Sequence, residues 1–580
     1  MRLGLGISVV LALSSTACND APPADESPDS GETETDTAPT SADASGDSGG
    51  NDDADGTAAN CAASNQPPQA PYIVTPQTGT RNLAPEDILI QTSAFSDPDG
   101  DAHALSEFQI WRLNGGKPVE MVWSATTSEA SSLEQVSLAD GTLHGTAELD
   151  GNLALWREHV VRARHGDGAE GDCGLSEWSQ DVDFRTDDGS EYLFDQSVIR
   201  DIYLDIPTES ALAIHEEAVP PMCIPWQREY YTGSITYEGQ QFDGIGIRAK
   251  GGCGSARGLD EKSGFRINLG WDDPETPGCP EQQRLFGQNH LTLNNMVQDP
   301  SFTHERLAYR MYQAFGVPTP RVAHIRVHVN GELWGLYLLV ETPKRRFLDR
   351  RFASKNGMLY EGTYWCDLIE PNVPPGDEDT YCLTRKFSPD RCDGPPEPDE
   401  DPKDYELLRT MVGQLETLSS NSFYPEIGTV FNFESFLSAW AVEGAIGHWD
   451  NYAFEINNNY RVYHHPATGR WNLLPHGVDQ TFEDSLDPWL VEGIIAVNCL
   501  EEGACEEAFA ARFAEAGETM AALDLTAELD VIHALITDDV YADPRKEVDN
   551  DEYEFAVEQT RAWIEQRPDE VVELLSIHGF

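Results

Sequence analysis

The stretch from Asp450 to Asp479 constrains this chain more than any other. An aspartate is followed by Asn459 at the head of an apolar-alternating strand, Tyr460-Arg461-Val462-Tyr463. A turn follows at His465-Pro466-Ala467-Thr468-Gly469, then a second strand, with Asp479 just past its end. Such a run folds as a two-stranded ribbon. Its polar positions offer a carboxylate, an amide oxygen and a second carboxylate. That set supplies a proton acceptor and two hard oxygen ligands for a divalent cation beside nucleotide phosphates, so the ribbon points to phosphoryl transfer.

At 580 residues the chain is too long for one core, and two or three domains are expected. It carries 101 acidic against 38 basic side chains. That surface repels nucleic acid, so no nucleic-acid partner is expected. The first residues read as a targeting segment: Arg2, a short apolar run over 3–13, then Leu13-Ser14-Ser15-Thr16-Ala17-Cys18. That sequence resembles a bacterial lipobox. It predicts a lipoprotein signal peptide over 1–18 and a membrane anchor at a lipidated Cys18, an ordinary cleaved signal being the alternative. Residues 19–60 have no apolar periodicity and read as a disordered acidic tether. Setting Cys18 aside leaves ten of the 11 cysteines, an even number that suits disulfides in an exported protein. Pairs Cys61 with Cys173, Cys253 with Cys279 and Cys499 with Cys505 fit by locality, although the sequence does not fix the connectivity.

Short alternating runs between turn clusters over 61–188 predict an all-β sandwich, like a fibronectin type III domain. Within it, Asp97, Asp99 and Asp101 form a carboxylate-dense turn that offers a Ca²⁺ site or a solvated Asx-type turn. Beyond 190 the pattern is β-rich. It includes a helix over 303–315 and a hairpin about Asn330-Gly331. From 404 it turns helical, over 405–418, 433–446, 509–520 and 553–575. The fold class is α+β: an atypical bilobal protein-kinase-like domain over 190–580, preceded by the sandwich.

Ordered motifs make the resemblance specific. They are Gly246-Ile247-Arg248-Ala249-Lys250-Gly251, Glu261-Lys262-Ser263-Gly264-Phe265-Arg266-Ile267, and the hairpin run Asn330-Gly331-Glu332-Leu333-Trp334-Gly335-Leu336-Tyr337 continuing to Glu341. Asp450, Asn459-Tyr460-Arg461 and Leu473-Leu474-Pro475-His476-Gly477-Val478-Asp479 complete the set. Together they resemble the CotH family of spore-coat-type secreted atypical protein kinases. The resemblance implies ATP with Mg²⁺ or Mn²⁺ as cofactors, an exported protein as the substrate, and a place in the cell envelope outside the cytoplasm.

Mapped onto this chain, Lys262 is the expected phosphate cation, with Arg248 and Lys250 as neighbours. Glu305 is a candidate to orient it, and Glu341 would border the adenine pocket. Asp450 is the catalytic residue that takes or orients the acceptor proton, helix capping being its structural alternative. Asn459 and Asp479 are the metal ligands. The family's Trp-Asp-x-Asp reads His476-Gly477-Val478-Asp479 here, and the spacing from Asp450 to Asn459 is longer than usual. Gly477 leaves open a second reading, a catalytically inactive pseudokinase acting in surface adhesion or binding.

Overall fold

The computed structural model describes residues 65–85, 88–114, 116–144, 153, 157–169, 171–220, 228–271, 283–352, 354, 356–374, 382–387, 405–418, 422–483 and 486–580. The expected signal, tether and lipid-bearing Cys18 lie outside them, as do Cys61 and Cys279. The described residues belong to one compact unit spanning 59–580.

Its first part is all β. Ile73–Thr75, Leu89–Thr92 and Gln135–Ser137 form a three-stranded sheet. A six-stranded sheet is centred on Leu105–Asn114, flanked by Lys117–Thr127 and Glu158–Gly166. Alternate residues of these strands point into a core holding Ile90, Phe108, Ile110, Trp123, Val161 and Phe184.

The second part is a closed seven-stranded barrel. Arg200–Asp205, Tyr231–Tyr237, Gln240–Lys250, Gly264–Asn268, His290–Asn294, Glu332–Glu341 and Val322–Val329 follow one another around it. All neighbours are antiparallel except the closing pair, Arg200–Asp205 with Val322–Val329. The hairpin expected at Asn330-Gly331 is present. Both turn residues have positive φ, 51° and 83°, the backbone an Asn-Gly turn favours. Alternation decides what the barrel offers outward. Ile245, Ile247, Ala249, Phe265, Ile267, Leu291 and Leu293 fill its interior. Arg248, Lys250, Arg266, Thr292 and Asn294 are therefore left on the outer face of three adjacent strands.

The helical part has the largest core, built by Phe433–Ala445, Gly503–Ala522, Leu525–Ala542 and Asn550–His578. The helix His304–Ala314 joins this core although the chain runs through it between barrel strands, with Leu307, Ala308, Met311 and Tyr312 all fully buried. The expected ribbon is present as Tyr460–His465 and Arg470–Pro475. It is half of a larger antiparallel sheet, in the order Leu383–Phe387, Leu359–Gly362, Tyr460–His465, Arg470–Pro475. Disulfides join Cys366 to Cys382 and Cys499 to Cys505. Cys173 and Cys253 are also disulfide-bonded. No helix among the described residues is long and apolar enough to cross a membrane.

Candidate active site

The barrel's outer face and the ribbon bring a relay of polar side chains together. Lys250, last residue of its strand, donates from Nζ to Asn294 Oδ1 at 2.7 Å. Asn294 Nδ2 donates in turn to Glu305 Oε2 at 2.7 Å. The Tyr309 hydroxyl reaches Glu305 Oε1 at 3.3 Å. Glu305 is buried, and burial pushes its carboxyl up to about 7; the Asp479 charge adds to this and Lys250 opposes it. Desolvation pushes the Lys250 ammonium down, with Asp479 and then Glu305 acting the other way. Both trends mark closely spaced, poorly solvated charges.

Asp450 sits at the other wall. Its Oδ1 accepts from Asn458 Nδ2 at 2.8 Å and its Oδ2 from Asn459 Nδ2 at 2.9 Å. Burial pushes this carboxyl up to about 6, and Asp479 pushes in the same direction. Asn459 has φ +48°, a left-handed backbone that asparagine tolerates better than most residues. Its Nδ2 also donates to the Gly477 carbonyl at 3.2 Å. Two acceptors facing one end of the amide fix its orientation and turn Oδ1 away from both, where it can serve as a ligand.

Asp479 is 92% buried, 8% of its surface remaining exposed. Its carboxylate makes no hydrogen bond or ion pair among the described residues. Its carbonyl accepts from His304 Nδ1 at 3.1 Å, and His304 Nε2 meets the Thr560 hydroxyl at 2.8 Å. An unpaired carboxylate, a free amide oxygen and a second carboxylate beside a lysine fit a divalent cation with phosphates.

Tyr364, missed in the sequence, lies near Asp450 and Asp479. Its hydroxyl donates to the Cys253 carbonyl at 3.3 Å, and burial pushes it up to about 12, with Asp450 and Asp479 adding to the effect.

Three sequence candidates lie elsewhere or are engaged. Lys262 is fully buried and its Nζ binds Asp543 Oδ2 at 2.7 Å, over the rings of Phe302 at 4.6 Å and Tyr337 at 5.2 Å. Asp543 also accepts from the Leu336 and Arg545 amides at 3.0 and 2.8 Å. This ammonium clamps the barrel to the segment after Leu525–Ala542 and has no surface for a phosphate. Glu341 is fully buried between Arg321 and Arg350, which hold its carboxyl down to about 2. It closes an ion cluster and presents no free edge to a base. Arg248 donates from Nη1 to the Arg228 carbonyl at 2.9 Å and stacks 4.7 Å over Tyr230. In the β part, the Asp97, Asp99 and Asp101 carboxylates converge within 4.8 Å. Asp97 Oδ1 accepts the Asp99 and Asp101 amides, the bonding of an Asx turn, which forms with or without a cation.

Residues 247–571, more than half of the chain, match the family model described as CotH kinase protein. Invasin CotH2 of Rhizopus delemar is 26% identical over 212 residues, 35% of this chain and 34% of that protein. The inner spore coat protein H-like protein of Bacillus subtilis is 35% identical over 60 residues, 10% of this chain and 20% of that protein. The chain thus spans about a third and a fifth of these curated relatives. Solved structures with some likeness include the Shewanella oneidensis HipA–HipB–operator complex, with TM-score 0.27, 12% identity and coverage of 65% of this chain and 74% of that one. Titin kinase with its flanking domains gives a TM-score of 0.15 at 8% identity, covering 48% and 38%. Scores that low add nothing to the argument. The motifs and the family model agree: this kinase-like chain belongs to the CotH kinase protein family.

Proposed function

We propose that the chain is an exported atypical protein kinase that transfers the γ-phosphoryl group of ATP to Ser or Thr hydroxyls of surface or secreted proteins. The observation that carries this reading is the Lys250–Asn294–Glu305 relay facing the unpaired Asp479 carboxylate, with Asp450 and Asn459 beside it. A divalent cation such as Mg²⁺ or Mn²⁺ would supply there the positive charge that offsets the negative charge of the phosphates. Asp479 and Asn459 Oδ1 would hold the cation. Lys250, fixed by Asn294, neutralises the phosphates; it takes the part the sequence suggested for Lys262. Asp450 orients the acceptor hydroxyl and takes its proton as the new oxygen–phosphorus bond forms. The disulfides fit an oxidising compartment, which supports an extracellular location. Anchoring through a lipid on Cys18 is part of the same proposal.

The test uses the full chain with labelled ATP and Mg²⁺ or Mn²⁺, beside Asp450→Asn and Asp479→Ala. Incorporation lost in both variants, with unchanged melting, supports the kinase. Absence of incorporation from folded wild-type protein, with any acceptor including itself, favours the second reading that Gly477 motivates, an inactive fold serving in surface binding.

A further inference from the structure

Two arginines stand directly opposite each other on the barrel's outer face. Arg248 pairs with Arg266 in the antiparallel register, and like charges in that position destabilise a sheet. The facing sheet adds more cations. Glu361 lies opposite Arg461, whose Nη2 binds Glu361 Oε1 at 2.5 Å. Lys386 Nζ binds Glu361 Oε2 at 2.8 Å, and His476 Nε2 approaches Oε1 at 3.3 Å. Arg266, Arg461 and Lys386 thus bring three positive charges around one carboxylate, with Arg248 beside Arg266, in a chain of net charge −63.

The donors are not used up. Arg266 makes no hydrogen bond or ion pair among the described residues. The buried Nε groups of Arg248 and Arg461 also lack acceptors there. Buried guanidinium donors without acceptors are costly, and an anion beside them would supply acceptors. The cluster adjoins the site above, because Arg266 lies close enough to Lys250 to depress its ammonium. Arg248 is two residues before Lys250 on one strand, about 7 Å along it, within reach of a polyphosphate engaged at Lys250.

We propose that this arginine nest, Arg248, Arg266, Arg461, Lys386 and His476 about Glu361, is an anion site for the phosphates that stay with the nucleotide, the diphosphate of the leaving ADP. The proposal rests on the kinase reading and adds residues that reading does not use. Bidentate arginine donors suit phosphate oxygens, and Glu361 holds the cations in place while neutralising one of them.

The test is calorimetric titration of the full chain with inorganic pyrophosphate in the presence of a chelator, so that no metal site contributes. Wild type is expected to bind, and ADP to displace the pyrophosphate. Arg266→Gln and Lys386→Gln are each expected to weaken binding about tenfold or more, the range for a charged hydrogen bond, with melting unchanged in Arg266→Gln; Lys386→Gln also loses the ion pair to Glu361 and is expected to melt lower. Arg266 makes no hydrogen bond or ion pair among the described residues, so its variant is expected to fold. Absence of wild-type binding, equal binding in both variants, or pyrophosphate that ADP cannot displace would each overturn the nest. Arg266-dependent pyrophosphate binding in a chain that transfers no phosphate would uphold the nest and end the transfer reading alone.

Discussion

Asn459 and Gly477 interlock. A Cβ built on Gly477 would lie 2.7 Å from Asn459 Cγ and Oδ1, and Gly477 itself has φ +62°. The glycine that replaces the family's usual aspartate is therefore fitted to the side chain beside it. Its carbonyl accepts from Asn459, and its bare Cα leaves room for that amide. The departure is a local rearrangement of the loop proposed to hold the metal, with Asp479 as the carboxylate that remains.

Gly477→Asp is accordingly expected to damage the site. Both the positive φ and the close approach oppose any side chain there. Displacing Asn459 should lower Mg²⁺ affinity about tenfold or more, equivalent to losing one charged contact. Metal titration of transfer, or of nucleotide binding if transfer is absent, measures this. Improved metal affinity in Gly477→Asp would show that the loop has room for the family's usual ligand.

The pH profile follows from Asp450. Burial holds its carboxyl up to about 6, so its proton-accepting form is fully present only above that pH. Transfer at saturating ATP is expected to rise through pH 6 and level off, and added Mg²⁺ should move this limb to lower pH. Stability runs the opposite way. The folded state keeps the Asp450 proton up to about 6, whereas the unfolded chain loses it near 4. Asp450's relative contribution is thus full below pH 4 and falls as pH rises to 6. Asp450→Asn should remove both trends from paired rate and denaturation measurements.

Lys250 and Lys262 separate chemistry from architecture. Lys250→Met should abolish transfer at a stability cost of about 1 kcal/mol or less, since it breaks one half-buried hydrogen bond. Lys262→Met leaves the Asp543 carboxylate buried without its cation and should cost about 3–5 kcal/mol. A Lys262→Met protein with wild-type melting and no phosphate binding would reverse these roles.

That pair also shows how far the sequence could be read. Local signals were legible. The Asn330-Gly331 turn, the helix at Phe433–Ala445 and the ribbon at 460–475 all rest on neighbours in the chain. Arg248 and Lys250 were legible as neighbouring cations in one short motif. Choosing between Lys250 and Lys262 required Asp543, 281 residues away, which no periodicity reveals. The ribbon's other strands, Leu359–Gly362 and Leu383–Phe387, lie some 75–100 residues upstream, so Glu361 and Lys386 carried no signal of a shared cleft. Glu305 was visible as a candidate, but its link to Lys250 passes through Asn294, an asparagine with no distinguishing local pattern.

The Cys366–Cys382 disulfide is expected to matter to activity as well as stability. It closes a 16-residue separation, and bridges of that size contribute about 3 kcal/mol. Cys366 also touches the ligand loop through its backbone. Its N–H donates to the Asn457 carbonyl at 3.2 Å, and its carbonyl accepts from the Tyr460 hydroxyl. Asn457 and Tyr460 bracket Asn458 and Asn459, the two side chains that hold Asp450. Loosening Cys366 therefore loosens the support of Asp450, the carboxylate proposed as catalytic. Cys499–Cys505 closes only six residues where Ile494–Leu500 meets Gly503–Ala522, and among the described residues neither cysteine hydrogen-bonds that loop. The Cys366→Ser/Cys382→Ser double variant should lose activity at temperatures where it is still folded by circular dichroism. The Cys499→Ser/Cys505→Ser variant should keep activity up to its own melting point. Parallel loss in both would mean that the first bridge supports the fold in general and not the Asn457–Tyr460 loop.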